Sequence, residues 1–259
     1  MDWSTRKKMG CIGIVVALAA AIIGYFVYQK FFNIEPTCFD GKQNQNERCI
    51  DGGGICARVC LMDAKTVVTR WSRVFHTTGD VWSVLAYLEN QNTTAGIQKV
   101  NYEFRVYDSD NILAGEPVTG STFIGPNERT AVFESPVKTG NRIPTSVFFK
   151  FTSVPDWTTT DKKYTVSQLS SANTDLTDVD TSPKLSADIV NNTLFDYKNI
   201  QVVAILYGAD GNAINASSTF IEFIPQQSVQ KVYFTWPEKF DKPVTKIEII
   251  PRVNPFIQN

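Results

Sequence analysis

Val100 to Asp108 reads VNYEFRVYD. Val100, Tyr102, Phe104 and Val106 alternate with Asn101, Glu103 and Arg105. A period of two puts the apolar side chains on one face of a strand and the polar ones on the other. Asp108-Ser109-Asp110-Asn111 then closes the strand in a turn. One buried face and one wet face is the pattern of an antiparallel sheet within a sandwich.

The chain on either side extends the same pattern. Val67 to Phe75 and Val81 to Glu89, joined by Thr77-Thr78-Gly79-Asp80, predict a hairpin. Ser121 to Ile124, Thr130 to Glu134 and Ser146 to Phe151 add strands, with Gly125-Pro126-Asn127 as a turn. Trp157 and Tyr164 to Leu169 are expected to open a second domain, with Asn173 to Ser182 as its first loop. Further strands are expected at Leu185 to Val190, Ile200 to Tyr207, Ser217 to Phe223, Val229 to Trp236 and Thr245 to Ile250.

The halves match at a shift of about 100 residues. Leu85 aligns with Leu185, Val100 with Ile200, Tyr107 with Tyr207 and Asp110-Asn111 with Asp210-Gly211. A repeat of that size is a whole domain rather than a solenoid unit. The expected fold is mainly β: two tandem immunoglobulin-like β-sandwiches, residues 65–153 and 154–259, arranged in series. They lack the Cys…Trp…Cys core of antibody domains.

Upstream, Met9 to Tyr28 is a run of twenty uncharged residues, long enough as a helix to cross a bilayer. Arg6, Lys7 and Lys8 precede it, which predicts a cytoplasmic tail at 1–8 and an uncleaved, N-in, C-out transmembrane anchor at 9–32. The run exceeds the usual apolar core of a cleaved signal peptide, and bulky residues occupy its exit. Cys11 lacks the apolar residues that precede a lipoprotein cysteine. Gly13, Ala17 and Ala21 recur every four residues and offer a weak helix–helix contact for a homo-oligomer.

Residues 33–64 form a polar, turn-rich collar with too little apolar content for a core of its own. It carries Cys38, Cys49, Cys56 and Cys60. On the outer side of a membrane, four clustered cysteines read as two disulfides, with three pairings open. If Ile55 to Ala64 is helical, Cys56 and Cys60 each reach Cys38 or Cys49 more easily than each other. The spacing lacks the paired C-x2-C knuckles of a zinc site.

Charge and motifs narrow the function. With 25 basic and 26 acidic residues in 259, net charge is −1. No basic stripe remains beyond the N-terminal flank, which argues against a nucleic-acid partner. His76 is the only histidine, so histidine-rich metal sites are excluded and no catalytic residue is assigned. Pairing His76 with a free cysteine gives the enzymatic alternative, a thiol-dependent envelope enzyme. Asp175, Asp178 and Asp180 are weak calcium candidates without EF-hand spacing, and no cofactor is expected. Asn92, Asn191 and Asn215 begin Asn-x-Ser/Thr triplets but are read as turn residues.

Phe104-Arg105-Val106-Tyr107-Asp108, after Asn90-Gln91-Asn92 and before Asp110-Asn111, resembles the F-x-L-Y-D signature. That signature marks a bacterial domain family related to the water-stress, late-embryogenesis-abundant type of sandwich. Ala204-Ile205-Leu206-Tyr207-Gly208 is the matching stretch in the second half, with Ala and Gly replacing the terminal Phe and Asp. The resemblance implies an exported or membrane-anchored protein without enzyme activity. In this reading Val106 points inward, Tyr107 outward or toward a sheet edge, and Asp108 caps the turn. The function expected is a non-enzymatic structural or protein-interaction component of the cell envelope, membrane-bound and with protein partners there. A ligand-binding accessory subunit of an envelope machine is a further alternative.

Overall fold

A computed structural model describes residues 3–31, 37–44, 46–159 and 168–257. The chain divides into two units, Met1–Cys56 and Ala57–Asn259. Expectations at Phe32 and at residues 164–167 lie outside the described residues, as do the side chains of Arg6, Lys7, Lys8 and Cys11.

The first unit begins with α1, Trp3–Phe31, of 29 residues. Within it Ile12–Lys30 has a mean hydropathy of 2.1, and none of it is buried. At 1.5 Å per residue that stretch is about 28 Å long, enough for a hydrocarbon core. The cysteine-bearing segment follows. Cys38 and Cys56 form a disulfide, with Cα atoms 5.5 Å apart, and Cys49 and Cys60 are also disulfide-bonded. The condition of a helix from Ile55 to Ala64 is not met; turns and bends occupy that stretch. Gly53 and Gly54, both at positive φ, start the chain in a conformation that no helix continues.

The second unit is built of antiparallel strands: β1 (Val68–Thr78), β2 (Val81–Glu89), β3 (Ala95–Tyr107), β4 (Val118–Ile124), β5 (Arg129–Lys138), β6 (Ser146–Phe151), β7 (Trp157–Thr159), β8 (Leu169–Thr177), β9 (Lys184–Asn191), β10 (Tyr197–Tyr207), β11 (Ala213–Ile224), β12 (Ser228–Thr235) and β13 (Lys246–Arg252). They form four sheets. β1-β2-β5 faces β4-β3-β6 in the first sandwich, and β12-β9-β8 faces β11-β10-β13 in the second. The first core holds Val84, Ala86, Leu88, Val100, Tyr102, Phe104 and Val106. The second holds Leu185, Ala187, Ile189, Ile200, Val202, Ala204 and Leu206.

The boundary expected at 153/154 is corrected. β7 pairs with the start of β3, Ile97 opposite Trp157, and Trp157 is buried in the first core. Its indole completes the first sandwich rather than opening the second.

Turn hydrogen bonds recur at a shift of 100. Asp108 N donates to Ile112 O and Gly208 N to Asn212 O; Thr145 N donates to Tyr107 O and Thr245 N to Tyr207 O. Asn127 and Gln227 both take positive φ. At the first strand of each core the shift is 101, because Val84, Ala86 and Leu88 correspond to Leu185, Ala187 and Ile189. Leu85 therefore does not match Leu185. One residue of slip turns a strand side chain to the other face, and Leu85 faces away from its own core.

Asn90 and Asn191 serve as matching internal staples. Asn90 Nδ2 donates to Ala95 O at 2.9 Å and Gly125 O at 2.7 Å. Asn191 Nδ2 donates to Phe195 O and Pro225 O, both at 2.8 Å. Both residues are buried. Asn191→Ala leaves two carbonyls without their donor and is expected to lower unfolding free energy by about 2 kcal/mol, read from the urea midpoint.

The sandwiches do not stand in series. Phe75, Leu85, Tyr87 and Ala131 from the outer face of β1-β2-β5 pack against Val203, Ile205, Ala213, Ala216 and Ile250 from β11-β10-β13. This third apolar core joins the two face to face, giving four layers of sheet. Other outward positions carry ion pairs, Glu103 with Arg105 and Lys150 on β3 and β6 and Asp188 with Lys231 across β9 and β12, beside the exposed Phe148, Val229 and Tyr233.

Candidate functional site

The seam between the sandwiches carries the molecule's most developed polar chemistry. Glu248 of β13 accepts from Tyr87 Oη of the first sandwich at 2.8 Å and from Tyr207 Oη of the second at 2.6 Å. Burial, then this shared carboxylate, raises both phenols well above their ordinary range. They remain protonated donors at neutral pH. Arg73 of β1 donates to Ala213 O at 3.2 Å and to Asn212 Oδ1, and its guanidinium lies over the Trp71 ring.

Arg252, at the end of β13, reaches into the first sandwich. Its Nε donates to Thr130 Oγ1 at 3.0 Å, and its two terminal nitrogens donate to Thr122 Oγ1 at 2.6 Å and Gln201 Oε1 at 2.5 Å. The side chain is buried and stacks over Phe123 at 4.9 Å. Around it, Tyr102 donates to Glu134, and Gly125 N donates to Glu128 Oε1 at 2.6 Å. Burial pushes the Glu128 carboxyl up to about 7, against the Gly125 hydrogen bond and the Arg252 charge.

The sign of the Glu128 effect follows from that shift. A raised folded-state pKa means the native state binds the proton more tightly than the unfolded chain. The stabilisation is present below the ordinary value of 4.5 and is lost as pH rises to about 7. The melting temperature is expected to fall across that window. Comparing Glu128→Gln over the same pH series checks this, and the Glu128-dependent part of the slope should vanish.

Beside the seam lies an open groove of about 830 Å³. Its floor is β1 from Ser72 to His76. Trp82 and Ile143 give it apolar walls, and Lys242 and Asp241 line the side of the second sandwich. β1 is an edge strand of its sheet, as is β6, which meets it where Ser72 Oγ donates to Val147 O at 2.8 Å. His76 Nδ1 is 3.5 Å from Glu238, its Nε2 is 3.1 Å from Gly79 O, and the ring meets Trp82 edge-on.

The residues singled out in the sequence are dispersed. Phe104, Val106 and Leu206 are core side chains. Tyr107 is half-buried, while Tyr207 serves the seam. Asp108 accepts from Ile112 N at 2.9 Å and Asp110 N at 3.0 Å and pairs with Arg142. These interactions, led by the Ile112 hydrogen bond, hold its carboxyl below the ordinary range. In the second half Gly208 replaces it, and Asp210 takes over the turn by accepting from Asn212 N at 2.9 Å.

The calcium candidates do not converge. Asp175 lies on β8 opposite Ser186, Asp178 pairs with Lys184 at 3.1 Å, and no cluster of ligand atoms among the described residues includes Asp180. One group, Cys38, Glu47 and Cys56, has ligand-like spacing. Its two sulfurs are joined in a disulfide, so they are not the thiolates that zinc needs. All four collar cysteines are disulfide-bonded, which removes the thiolate a Cys-His pair with His76 requires. Asn92 and Asn191 are buried and committed to turns.

Sequence reasoning missed Arg252, Glu128 and Glu248. The readable signal was the seam itself: Val84 to Leu88 and Val202 to Leu206 are apolar at every position, so both faces of each strand are buried.

No family model matches the chain, and no curated protein matches it. Among solved structures it is similar to red sea bream transglutaminase, at 11% identity over 71% of this chain and 31% of that one, TM-score 0.24. It is also similar to a glycoside hydrolase family 2 β-glucuronidase, at 12% identity over 66% and 24%, TM-score 0.21. A protein from Bacteroides fragilis described as a β-galactosidase is similar at 11% identity over 73% and 41%, TM-score 0.21. The chain spans less than half the length of each.

Proposed function

We propose that this chain is a membrane-anchored, extracytoplasmic and non-enzymatic interaction component of a bacterial cell envelope. Its β-sandwiches would be duplicated domains related to the F-x-L-Y-D family. The observation that carries the reading is the sequence of a membrane-length apolar helix followed closely by a disulfide-bonded segment. Disulfides persist in oxidising compartments, so the cysteines and the sheets after them belong outside. The basic residues Arg6, Lys7 and Lys8, in α1 ahead of its apolar stretch Ile12–Lys30, support the same orientation. The turn bonds that recur at a shift of 100 support duplication of one domain.

Partner binding is assigned to the groove along β1. An edge strand that pairs in its sheet only with β2, flanked by Trp82 and Ile143, suits an extended peptide segment added as a strand. The test is a photoreactive residue at position 143 in the full chain, activated in intact cells. A discrete cross-linked protein, absent when the probe sits at Lys150 on the outer face of the first sandwich, is expected. Cross-linking that is equal at the two positions contradicts the assignment. Protease protection of a tag at residue 2 in sealed cells checks the orientation separately.

A further inference from the structure

The collar between α1 and the sheets is inside out. Three of its carboxylates, Asp40, Glu47 and Asp51, accept from its own backbone. Asn44 N donates to Glu47 Oε2 at 3.0 Å, Gly41 N to Asp51 Oδ1 at 3.0 Å and Lys42 N to Asp40 Oδ1 at 2.9 Å. Glu47 is buried at 7% exposure, while Phe39 is 93% exposed, Ile55 74% and Ile50 57%. A segment this small that meets only water would favour the opposite arrangement, with carboxylates out and large apolar groups in.

The disulfide gathers these apolar groups. Phe39 follows Cys38 and Ile55 precedes Cys56, and those two cysteine Cα atoms are 5.5 Å apart. Phe39 and Ile55 therefore project from adjoining points of chain. They are also tethered close to the end of α1. Six residue steps separate Phe31 from Thr37, so the collar begins within roughly 20 Å of the helix end. The headgroup region of a bilayer lies within that reach. Tethering makes contact intramolecular, so a patch too small to hold a free protein on lipid suffices here.

We propose that the collar is a membrane-surface pad, with Phe39, Ile55 and Ile50 inserted at the lipid headgroup–acyl boundary. This rests on the reading of Ile12–Lys30 as a membrane span. The disulfide fixes the pad's shape, and the inward carboxylates keep negative charge away from the lipid. Lys42 is exposed on the same segment and adds a positive charge on the side of the lipid phosphates.

The test is photolabelling of the full chain in phosphatidylcholine nanodiscs, with a diazirine on the upper acyl chain and labelled peptides mapped by mass spectrometry. Label within residues 12–30 and at Phe39, Ile50 and Ile55 is expected. Label within the helix alone overturns the pad and leaves the span intact. An unlabelled helix overturns the span, and the pad with it. The Phe39→Ser, Ile55→Ser double variant is expected to lose collar label roughly tenfold while helix label is unchanged. Intact disulfides in that variant are verified by mass under non-reducing conditions; undiminished collar label there also overturns the pad.

Discussion

Arg252→Ala is expected to destabilise the two-sandwich body by about 3–5 kcal/mol, measured as a shift in urea midpoint at unchanged slope. The substitution removes the donors on Thr122 Oγ1, Thr130 Oγ1 and Gln201 Oε1 and opens a cavity over Phe123. The buried Thr122 and Thr130 and the half-buried Gln201 then lose this donor, which joins the two sandwiches. Arg252→Met separates the two contributions. It restores volume and removes a cation whose burial is itself unfavourable, so it should cost less than the alanine variant. A loss below about 1 kcal/mol for Arg252→Ala would mean that the side chain is only packed at the seam and does not lock it.

Leu85→Asp is the second large effect. Leu85 is fully buried, and its contacts belong to the third core rather than to the first sandwich's interior. A carboxylate there faces the apolar cluster of Val203, Ile205 and Ile250, and its cross-strand neighbour Arg73 is already committed to Ala213 O and Asn212 Oδ1. The expected cost exceeds about 4 kcal/mol. Its signature is local: amides of β2 and β10 lose exchange protection, and Tyr102, Phe104 and Phe149 stay packed. Leu88→Asp, aimed into the first core, should unfold that sandwich outright. Identical exchange patterns for the two variants would contradict a separate seam.

These two sites show where the sequence was readable and where it was not. β3 could be read because its outer face meets water, which leaves the alternation of VNYEFRVY intact. The Asp and Asn turns could be read because their side chains bond locally, as Asp108 does with Ile112 and Asp110. The seam buries both faces of β2 and β10, and that erases the period on which face assignment depends. Aligning Leu85 with Leu185 therefore placed Leu85 in the wrong layer.

Arg252 was invisible for a different reason. It follows Pro251 at the end of a strand, and its partners lie 51 to 130 residues away. No local spacing encodes such a contact. Trp157 was misassigned because it follows a Ser-, Pro- and Asp-containing stretch that reads as a linker. Its partner Ile97 lies sixty residues earlier. The collar disulfide was legible from compartment and clustering alone. The helix invoked to rationalise its pairing is absent, and the Gly53-Gly54 turn carries Cys56 toward Cys38 instead.

The two sandwiches form one body through an apolar seam. A protease site placed within residues 160–167 of the detergent-solubilised full chain tests this directly. The four collar cysteines all lie before the cut, so no disulfide links the pieces. After complete cleavage the two fragments are expected to co-elute as a noncovalent pair in gel filtration, and to separate when Leu85→Asp is present or denaturant is added. Separation of the unmutated fragments in plain buffer would contradict the account.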